Sequence, residues 1–446
     1  MYLIKANLIS HYEAKTLIIF ILCFVSSCEQ DFTPLKKSVE APHTIRVELE
    51  KTKVKEVWLN LKLTNISDNY QLYRDSTLIS TGIITGFDTT IYDYNLVPDH
   101  QYTYKAYLTK SDTIKFDSSA ITLRTKNYVW QSMGFDNKYA VRLKLYDPYL
   151  YICAGSDGLW RKDTRNSGQN WEYLGFADSS VAYGVEEVLV YSKNPDWLLV
   201  SYENQRAEDP AIFRSLDGGL DWEPADSGLI FYYEGYEVHG RLQKFLQYPN
   251  EIVGAGQGVW HTFDFGAFWE EDQSFIGAEP VYAFQNHPIY KNIIWLGGEG
   301  LFFDPILGFS TDGGYNWTEI YLGGIVPYDN AVYSMAFDLV DPNIVYVGMQ
   351  GAIIKTTDRG QTWISPLVTH PQGEFFYSIL ADHANEWHLW ATAGIDIIET
   401  WDKGESWQLI ENPLPLTTRI SDMIWDQSAE VIYLATFHNG VYSLKP

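Results

Sequence analysis

An octapeptide recurs six times in the second part of the sequence at a nearly constant interval. Each copy begins with serine or threonine, carries an acid or amide two positions later and a glycine after two more, and ends on tryptophan. Successive copies start 44 to 51 residues apart. A repeat of this size with strand-like flanks is typical of a β-propeller, in which each repeat supplies one four-stranded blade. The copies are TRNSGQNW (164–171), SLDGGLDW (215–222), TFDFGAFW (262–269), STDGGYNW (310–317), TTDRGQTW (356–363) and TWDKGESW (400–407).

The residue types of the octapeptide suit a tight turn. Aspartate and serine or threonine side chains can hydrogen bond to the backbone of a turn, and glycine readily adopts positive φ. The tryptophan can cover the gap beside the next blade. Structure therefore explains every residue type without catalysis. We assign this structural role to Asp217, Asp264, Asp312, Asp358, Asp402, Trp171, Trp222, Trp269, Trp317, Trp363 and Trp407.

These octapeptides resemble the Asp-box, or BNR repeat, with the pattern Ser/Thr-x-Asp-x-Gly-x-x-Trp. Five copies match it fully, and the first has Asn166 in the acid position. The resemblance implies that each copy forms the hairpin between the third and fourth strands of a blade. Overall the chain is similar to single propellers of the photosystem II stability/assembly factor type and to sortilin-like repeat proteins, and both act by binding proteins or peptides.

The number of blades follows from the strand segments around the octapeptides. A pair of apolar segments precedes each copy, and a seventh pair, at 419–444, is followed by no octapeptide. The segment NYVWQSMGF (127–135) resembles the strand after each octapeptide and has no inner strands of its own. Pairing it with the last unit would close a seven-bladed ring and remove open sheet edges. A six-bladed ring with extra strands is the alternative.

A separate β-domain is predicted at 42–126, where short runs of alternating apolar and polar residues are divided by turn signals. The stretch TTIYDYNLVPDHQYTYKAYL resembles a fibronectin type III pattern through Leu96, Pro98 and Tyr102. Trp58 is offset from the position of that family's core tryptophan, so an immunoglobulin-like relative is the alternative. The predicted fold class is all-β, with a fibronectin type III-like β-sandwich followed by a seven-bladed β-propeller with Asp-box hairpins at 127–446.

The N-terminus has the succession of basic, apolar and small residues that is typical of a secretion signal. Lys15 precedes an apolar run at 17–25 that is short for a membrane span, and two serines follow. The sequence VSSC (25–28) resembles the lipobox of bacterial lipoproteins. We therefore expect a signal peptide at 1–27, lipidation of Cys28 and a tether at 28–41, with the protein anchored at the bacterial outer membrane or cell surface. A plain secretory signal or a retained short anchor is the alternative.

The net charge and the cysteine content limit which classes of partner and which kinds of site the protein can have. The formal net charge is -25, and no basic patch interrupts it, so we expect no nucleic-acid partner. Outside the signal region the chain has a single cysteine, Cys153, which excludes a disulfide framework or a zinc cluster of cysteines. We expect no cofactor and no metal.

Candidate binding residues lie on the face opposite the octapeptides, where propeller loops usually meet ligands. The loop at 225–241 is long and rich in aromatic residues, and the insertion at 201–211 carries charged groups. Packing of these tyrosines beneath the loop is the alternative. The candidates are Tyr232, Tyr233, Tyr236, His239, Arg206, Glu203, Trp160 and Trp260.

The function predicted from these features is non-catalytic recognition of a protein or glycan. Asp-box repeats also occur in sialidases, but TTRISD around Arg419 lacks the proline of the sialidase motif. Xyloglucanases use the repeats in two propellers, and one propeller fits here. We name no catalytic residue, and a glycoside hydrolase or lyase acting on extracellular polysaccharide is the alternative.

Overall fold

The computed structural model describes residues 43–446 except 65–67, 112–113, 167, 179, 181–183, 204–209, 234–235, 240–241, 249–250, 257, 273–279, 301–303, 326–330 and 446. The predicted signal peptide, the tether, Cys28 and Arg206 lie outside the described residues. The described residues form strands, turns and loops. A helix long and apolar enough to cross a membrane does not occur among them.

Seven antiparallel strands build the N-terminal domain. The strands are β1 (Ile45–Thr52), β2 (Val57–Leu63), β3 (Asp68–Arg74), β4 (Thr77–Ile84), β5 (Asp88–Asp93), β6 (Gln101–Ser111) and β7 (Ile114–Arg124). One sheet has the order β1-β2-β5 and the other has the order β4-β3-β6-β7. Alternate residues of β2 are buried, as expected for a strand with one face on a core.

The core of this domain lies between its two sheets. Leu59 and Leu61 of β2 and Leu72 of β3 are fully buried in one cluster with Tyr104 of β6. The hydroxyl of Tyr102 accepts a hydrogen bond of 2.9 Å from the backbone N–H of Val97, which fixes the chain before β6.

The strands that follow the N-terminal domain begin with β8 (Val129–Ser132) and β9 (Asp136–Tyr139). Sheet 1 contains β10 (Arg142–Tyr146), β11 (Tyr149–Cys153), β12 (Leu159–Asp163) and β13 (Glu172–Gly175). Sheet 2 contains β14 (Gly184–Val190), β15 (Leu198–Glu203), β16 (Ile212–Ser215) and β17 (Glu223–Pro224). A hairpin of β18 (Ile230–Tyr233) and β19 (Tyr236–His239) follows sheet 2.

Sheet 3 contains β20 (Leu242–Tyr248), β21 (Glu251–Gly256), β22 (Val259–Thr262) and β23 (Glu270–Asp272). Sheet 4 contains β24 (Val281–Asn286), β25 (Ile294–Glu299), β26 (Pro305–Ser310) and β27 (Trp317–Tyr321). Sheet 5 contains β28 (Val332–Phe337), β29 (Val345–Met349), β30 (Ala352–Thr356) and β31 (Ile364–Thr369). Sheet 6 contains β32 (Ser378–Ala381), β33 (Leu389–Ala393), β34 (Asp396–Thr400) and β35 (Gln408–Ile410). Sheet 7 contains β36 (Ile420–Asp426), β37 (Val431–Asn439) and β38 (Val441–Lys445).

These sheets follow one another in a circle. The first strand of each sheet contacts the first strand of the next, and β36 of sheet 7 contacts β10 of sheet 1. The fourth strand of sheet 7 is β8, which pairs antiparallel with β38 from Val129 opposite Lys445 to Ser132 opposite Tyr442. The segment 127–135 therefore supplies the outer strand that the sequence pattern of the last unit lacks. Among the described residues, seven sheets make up the circle.

Each octapeptide forms the turn between the third and fourth strands of its sheet. In sheet 4, Asp312 Oδ1 accepts hydrogen bonds from Ser310 Oγ (2.8 Å) and Asn316 N (2.9 Å). Ser310 Oγ in turn accepts one from the N–H of Gly314 (2.9 Å), whose φ of +106° favours glycine. The turns that contain Asp217, Asp264, Asp358 and Asp402 repeat these three bonds.

The octapeptide tryptophans connect neighbouring sheets in the first part of the circle. The indole N–H groups of Trp171, Trp222 and Trp269 donate to the carbonyls of Met133, Leu174 and Ala225, respectively, at 2.8 to 2.9 Å. Each of these carbonyls belongs to the outer part of the preceding sheet. In sheet 4, the indole of Trp317 donates instead to Gly314 within its own turn.

The N-terminal domain packs against sheets 6 and 7, on the side that carries the octapeptide turns. Thr44–Pro446 forms one compact unit. Lys55, between β1 and β2, makes a 2.6 Å ion pair with Glu399 of β34, and both side chains are buried. Lys51 makes a further 2.6 Å pair with Glu430, in the turn between β36 and β37. The ring of Tyr94 stacks near Trp401, in the octapeptide turn of sheet 6.

Candidate functional site on the upper face

The circle of sheets has two faces of different character. In an antiparallel meander, the start of the first strand, the loop from second to third strand and the end of the fourth strand lie at one edge. The octapeptide turns lie at the opposite edge, together with the docked N-terminal domain. The first edge is therefore free of that domain, and we call it the upper face.

Six aromatic side chains form a continuous row around the axis on the upper face, and we call this row the mouth. Neighbouring ring centroids along it are separated by 4.7 to 6.1 Å. Two neighbouring pairs are stacked, with interplanar angles of 20° and 21°. Tyr139 is 38% exposed, whereas Tyr333 is nearly buried. In order, the row contains Tyr282, Tyr333, Phe375, Tyr377, Phe437 and Tyr139.

Three of the six mouth residues come from equivalent places in successive sheets. Tyr282 of β24 and Tyr333 of β28 are the extra residues of two β-bulges, since the register shifts between Val281 and Ala283 and between Val332 and Ser334. Tyr377 immediately precedes β32. Because a bulge redirects a side chain that would otherwise lie on one sheet face, these positions can turn aromatic rings toward the axis.

A cluster of charged groups lies on the first strands of sheets 1 to 3. Glu187 of β14 is 1% exposed, and its carboxylate lies 2.8 Å from Lys144 Nζ, 3.7 Å from Lys244 Nζ and 3.8 Å from Arg142 Nε. Burial acts to raise the pKa of Glu187, but the three cations outweigh burial, and this pKa is lowered. Burial and the neighbouring Arg142 lower the pKa of Lys244 to about 8, against the attraction of Glu187.

A smaller polar cluster joins sheets 6, 7 and 1. Asp422 of β36 accepts hydrogen bonds from Ser378 Oγ of sheet 6 (2.9 Å) and from the backbone N–H of Leu143 in sheet 1 (2.8 Å). It thereby connects three consecutive sheets. The first strands of sheets 1 to 3 therefore carry the charged cluster, whereas the aromatic row belongs to sheets 4 to 7.

A pocket of about 560 Å³ opens on the upper face beside the mouth. Its lining includes two carboxylates, Glu374 and Asp396. Glu374 pairs with Arg419 at 3.3 Å, and Asp396 pairs with His370 at 3.2 Å. Each acid therefore has a basic partner within 3.3 Å that can donate a hydrogen bond to it.

The binding residues predicted from the sequence are distributed over several places. Tyr232, Tyr233, Tyr236 and His239 belong to the hairpin of β18 and β19, which pairs Ile230 with His239. Glu203 ends β15. The side chains of these five residues lie outside the described atoms.

The two predicted tryptophans differ in accessibility. Trp160 of β12 is half-buried, its indole donates to the carbonyl of Asp157, and Lys138 Nζ lies 4.7 Å above its ring. Trp260 of β22 is 1% exposed within the core cluster of sheets 2 and 3. The ring of Trp260 therefore packs between two sheets in this structure, and its contact with a ligand stays a prediction.

Sequence reasoning missed the mouth. The signal that could have revealed it is a tyrosine at the same offset in three repeats, PVYAF, AVYSMAF and FFYSIL, which are Tyr282, Tyr333 and Tyr377. In an alternating strand pattern these tyrosines read as ordinary core or surface positions, because a bulge is not visible in the sequence.

Glu56, Asp382 and His388 approach one another closely enough to be considered as metal ligands, with one ligand atom each within 4.8 Å of the others. Both ring nitrogens of His388 already contact carboxylates, those of Asp382 (3.1 Å) and Glu399 (3.2 Å). Lys53 Nζ lies 3.6 Å from Glu56. This set of cations and anions fits a buried ion-pair network between the two domains.

Comparison with known proteins supports the fold. Residues 249–370 match the family model described as photosynthesis system II assembly factor YCF48. A search of curated proteins found no match. A chain in the crystal structure of the mitotic checkpoint complex is similar at a TM-score of 0.51 and 12% identity, over 71% of this chain and 91% of that chain.

Two further solved structures are similar over part of their length. The extracellular domain of BT4673 from B. thetaiotaomicron, described as a hybrid two component system, has a TM-score of 0.50 and 13% identity over 71% of this chain. An ancestral GH74 enzyme has a TM-score of 0.45 and 15% identity over 57% of this chain, which is too weak to carry an argument. This chain spans 39% of the BT4673 structure and 34% of the GH74 structure.

At sequence identities of 12% and 13%, the similarity to these solved structures is evidence for the fold alone. The chain is an all-β protein with a β-propeller-like domain of BNR-type repeats, similar over residues 249–370 to the YCF48 family.

Proposed function

We propose that the protein is a cell-envelope lipoprotein whose propeller recognises a glycan at the mouth without catalysing its turnover. The observation that carries this proposal is the row of six aromatic rings around the axis of the upper face. Aromatic faces stack on the apolar faces of sugar rings, and partly exposed tyrosines add a hydrogen-bonding hydroxyl. Charged groups beside such a row can orient a bound ligand.

The architecture proposed for this role is a fibronectin type III-like domain joined to a seven-bladed propeller. The strand orders β1-β2-β5 and β4-β3-β6-β7 support the first part, as does the Tyr102 hydrogen bond before β6. The cyclic contacts of the first strands and the pairing of β8 with β38 support the second.

The position of the N-terminal domain also favours the upper face as the ligand face. This domain covers part of the octapeptide face through Lys55, Lys51 and Tyr94. If the chain is anchored through its N-terminus, the N-terminal domain lies between the anchor and the propeller. The mouth then lies on the propeller face that points away from this domain. The domain serves in this proposal as a spacer.

The lipid anchor is proposed from the sequence VSSC at 25–28. We expect cells that express the full chain to incorporate labelled palmitate into the wild-type protein and not into Cys28→Ala. Equal incorporation into both proteins, or none into the wild type, would overturn the anchor.

For ligand binding, we expect Tyr139→Ala and Tyr377→Ala each to weaken binding of a recognised oligosaccharide by about 5- to 10-fold, because each removes one stacking surface. Calorimetric titration against a panel of oligosaccharides measures this change. Tyr321→Ala is the matched control, since Tyr321 is an exposed tyrosine on the outer strand of sheet 4. The affinity of Tyr321→Ala for the oligosaccharide should equal that of the wild-type protein.

The same titrations test the hairpin of β18 and β19 as an extension of the site. If Tyr233→Ala or Tyr236→Ala abolishes binding while the mouth variants leave it unchanged, the site belongs to the hairpin and the mouth proposal fails. If a protein ligand binds in place of every oligosaccharide, the glycan part of the proposal fails.

A glycoside hydrolase is the second candidate, favoured by one observation. Glu374 and Asp396 line the same pocket beside the mouth, and glycosidases use paired carboxylates. Release of reducing ends that disappears in Glu374→Gln would establish turnover and contradict the non-catalytic proposal.

A further inference from the structure

We infer that the mouth receives the end of a glycan chain that carries a carboxylate, namely a terminal uronic acid, and that Arg142 binds this carboxylate. The inference rests on the proposed function, because it assigns the ligand class of the same site. Its basis is the position of one guanidinium group between the charged cluster of sheets 1 to 3 and the aromatic row.

Arg142 lies directly beside the mouth. It is the first residue of β10 in sheet 1, yet its Nη2 atom lies 3.4 Å from the carbonyl oxygen of Tyr282 in sheet 4. Its side chain is 23% exposed, so part of it is accessible to solvent, although its Nε atom is buried. The guanidinium therefore connects the charged cluster to the backbone of Tyr282, the first residue of the aromatic row.

The guanidinium retains hydrogen-bonding capacity in this position. Arginine has five N–H donors, and the contact with Tyr282 uses one of them. The Nε atom is buried and has no hydrogen-bond partner among the described residues, its nearest acid being Glu187 at 3.8 Å. A carboxylate can accept two parallel hydrogen bonds from such a group, which a neutral hydroxyl cannot match.

Three acids, Glu187, Asp422 and Glu186, act electrostatically on Arg142, and the first two are engaged with other groups. Glu187 is shared with Lys144 and Lys244, and Lys144 lies closer to it than Arg142 does. Both oxygens of Asp422 accept hydrogen bonds from other groups, Ser378 and the Leu143 backbone. A ligand carboxylate would therefore not have to displace an existing bidentate pair.

The overall charge restricts the ligand to a single carboxylate at a chain end. The formal net charge of -25 repels an anionic polymer at long range. Close to the site, screening limits such repulsion to about 8–10 Å at physiological salt. A single terminal uronate beside Arg142 places one negative charge in this repulsive potential. A polyuronate places negative charges in it along its whole length.

The test compares two oligosaccharides with the same neutral core, one ending in glucuronic acid and the other in glucose. We expect the wild-type protein to bind the uronate-ended ligand at least about 10-fold more tightly, by calorimetry. We expect Arg142→Gln to abolish this preference while it keeps its affinity for the glucose-ended ligand. Arg142→Lys should retain part of the preference, because it keeps the charge and loses the planar fork.

Arg165→Gln is the matched control. Arg165 is an exposed arginine in the octapeptide turn of sheet 1 and pairs with Asp147, so its removal should leave the preference unchanged. A melting temperature recorded for each variant separates loss of binding from loss of folding. If Arg142→Gln does not fold, the preference for the uronate-ended ligand is measured with Arg142→Lys.

The outcomes separate this inference from the proposed function. Equal binding of both oligosaccharides, weakened by Tyr139→Ala, would overturn the role of Arg142 and leave the glycan site in place. An equal loss for both ligands in Arg142→Gln would likewise overturn carboxylate recognition. Binding of neither oligosaccharide, or of an acidic peptide in their place, would overturn both.

Discussion

Replacing Glu399 with glutamine should lower the free energy of unfolding by about 3–5 kcal/mol, because it leaves buried charges without their counter-ion. Glu399 is 1% exposed and contacts groups from both domains. Its carboxylate lies 2.6 Å from Lys55 Nζ and 3.2 Å from His388 Nε2, and it accepts a 2.7 Å hydrogen bond from the hydroxyl of Tyr128. Denaturant titration followed by tryptophan fluorescence measures the change.

The dependence of stability on pH gives a second measure of the same network. Burial acts to raise the pKa of Glu399, but His388 and Lys55 outweigh it and lower this pKa from 4.5 to about 2. The stabilisation is therefore complete above pH 4.5 and is lost as the pH falls toward 2. Burial acts to lower the pKa of His388, but Asp382 and Glu399 outweigh it and raise this pKa above 6.5. Its contribution is complete below pH 6.5 and is lost as the pH rises through the raised value.

The difference between wild type and Glu399→Gln should thus be largest between about pH 4.5 and 6.5. Glu411→Gln is the control, because Glu411 is an exposed acid of the same sheet region and should change stability by less than about 0.5 kcal/mol. If Glu399→Gln unfolds at the wild-type denaturant concentration throughout this range, the network does not join the two domains.

Deletion of residues 441–446 should abolish folding of the propeller, with a loss of at least about 5 kcal/mol. The deletion removes β38, which pairs with β37 on one side and β8 on the other. It also removes Val441 and Leu444, both fully buried. We expect loss of soluble, protease-resistant protein and of the cooperative thermal transition.

Lys445→Ala is the control for this truncation, since Lys445 is an exposed residue of the same strand. This variant should retain the wild-type melting temperature. A truncated protein with that same temperature would show that the pairing of β8 with β38 is not needed to hold the circle of sheets together.

Much of the fold could be predicted because it depends on local chemistry that repeats. The octapeptide predicts its own turn, since Ser310, Asp312 and Gly314 make their hydrogen bonds within five residues of one another. The spacing of the copies predicts the sheets, and the surplus segment at 127–135 predicts the strand that joins the last sheet. The pairing of Trp130 with Leu444 confirms that prediction over a separation of more than 300 residues.

The candidate site could not be predicted in the same way. Tyr139 and Phe437 lie almost 300 residues apart in sequence, and their rings stack at 4.8 Å only because the circle closes. Tyr282 and Tyr333 turn toward the axis at bulges, which depend on pairing with a neighbouring strand. The aromatic character of Trp260 suggested a ligand contact, yet the packing of two sheets buries it.

The sequence by itself determined the all-β class, the repeat and the structural use of the octapeptide acids, because each of these follows from residues that are neighbours along the chain. Only the tertiary structure decided which residues meet at the axis and which face the N-terminal domain covers. Arg142 approaches Tyr282, and Lys55 approaches Glu399, through contacts between distant strands. Such contacts depend on the closure and packing of whole sheets, which a local pattern of residues does not encode.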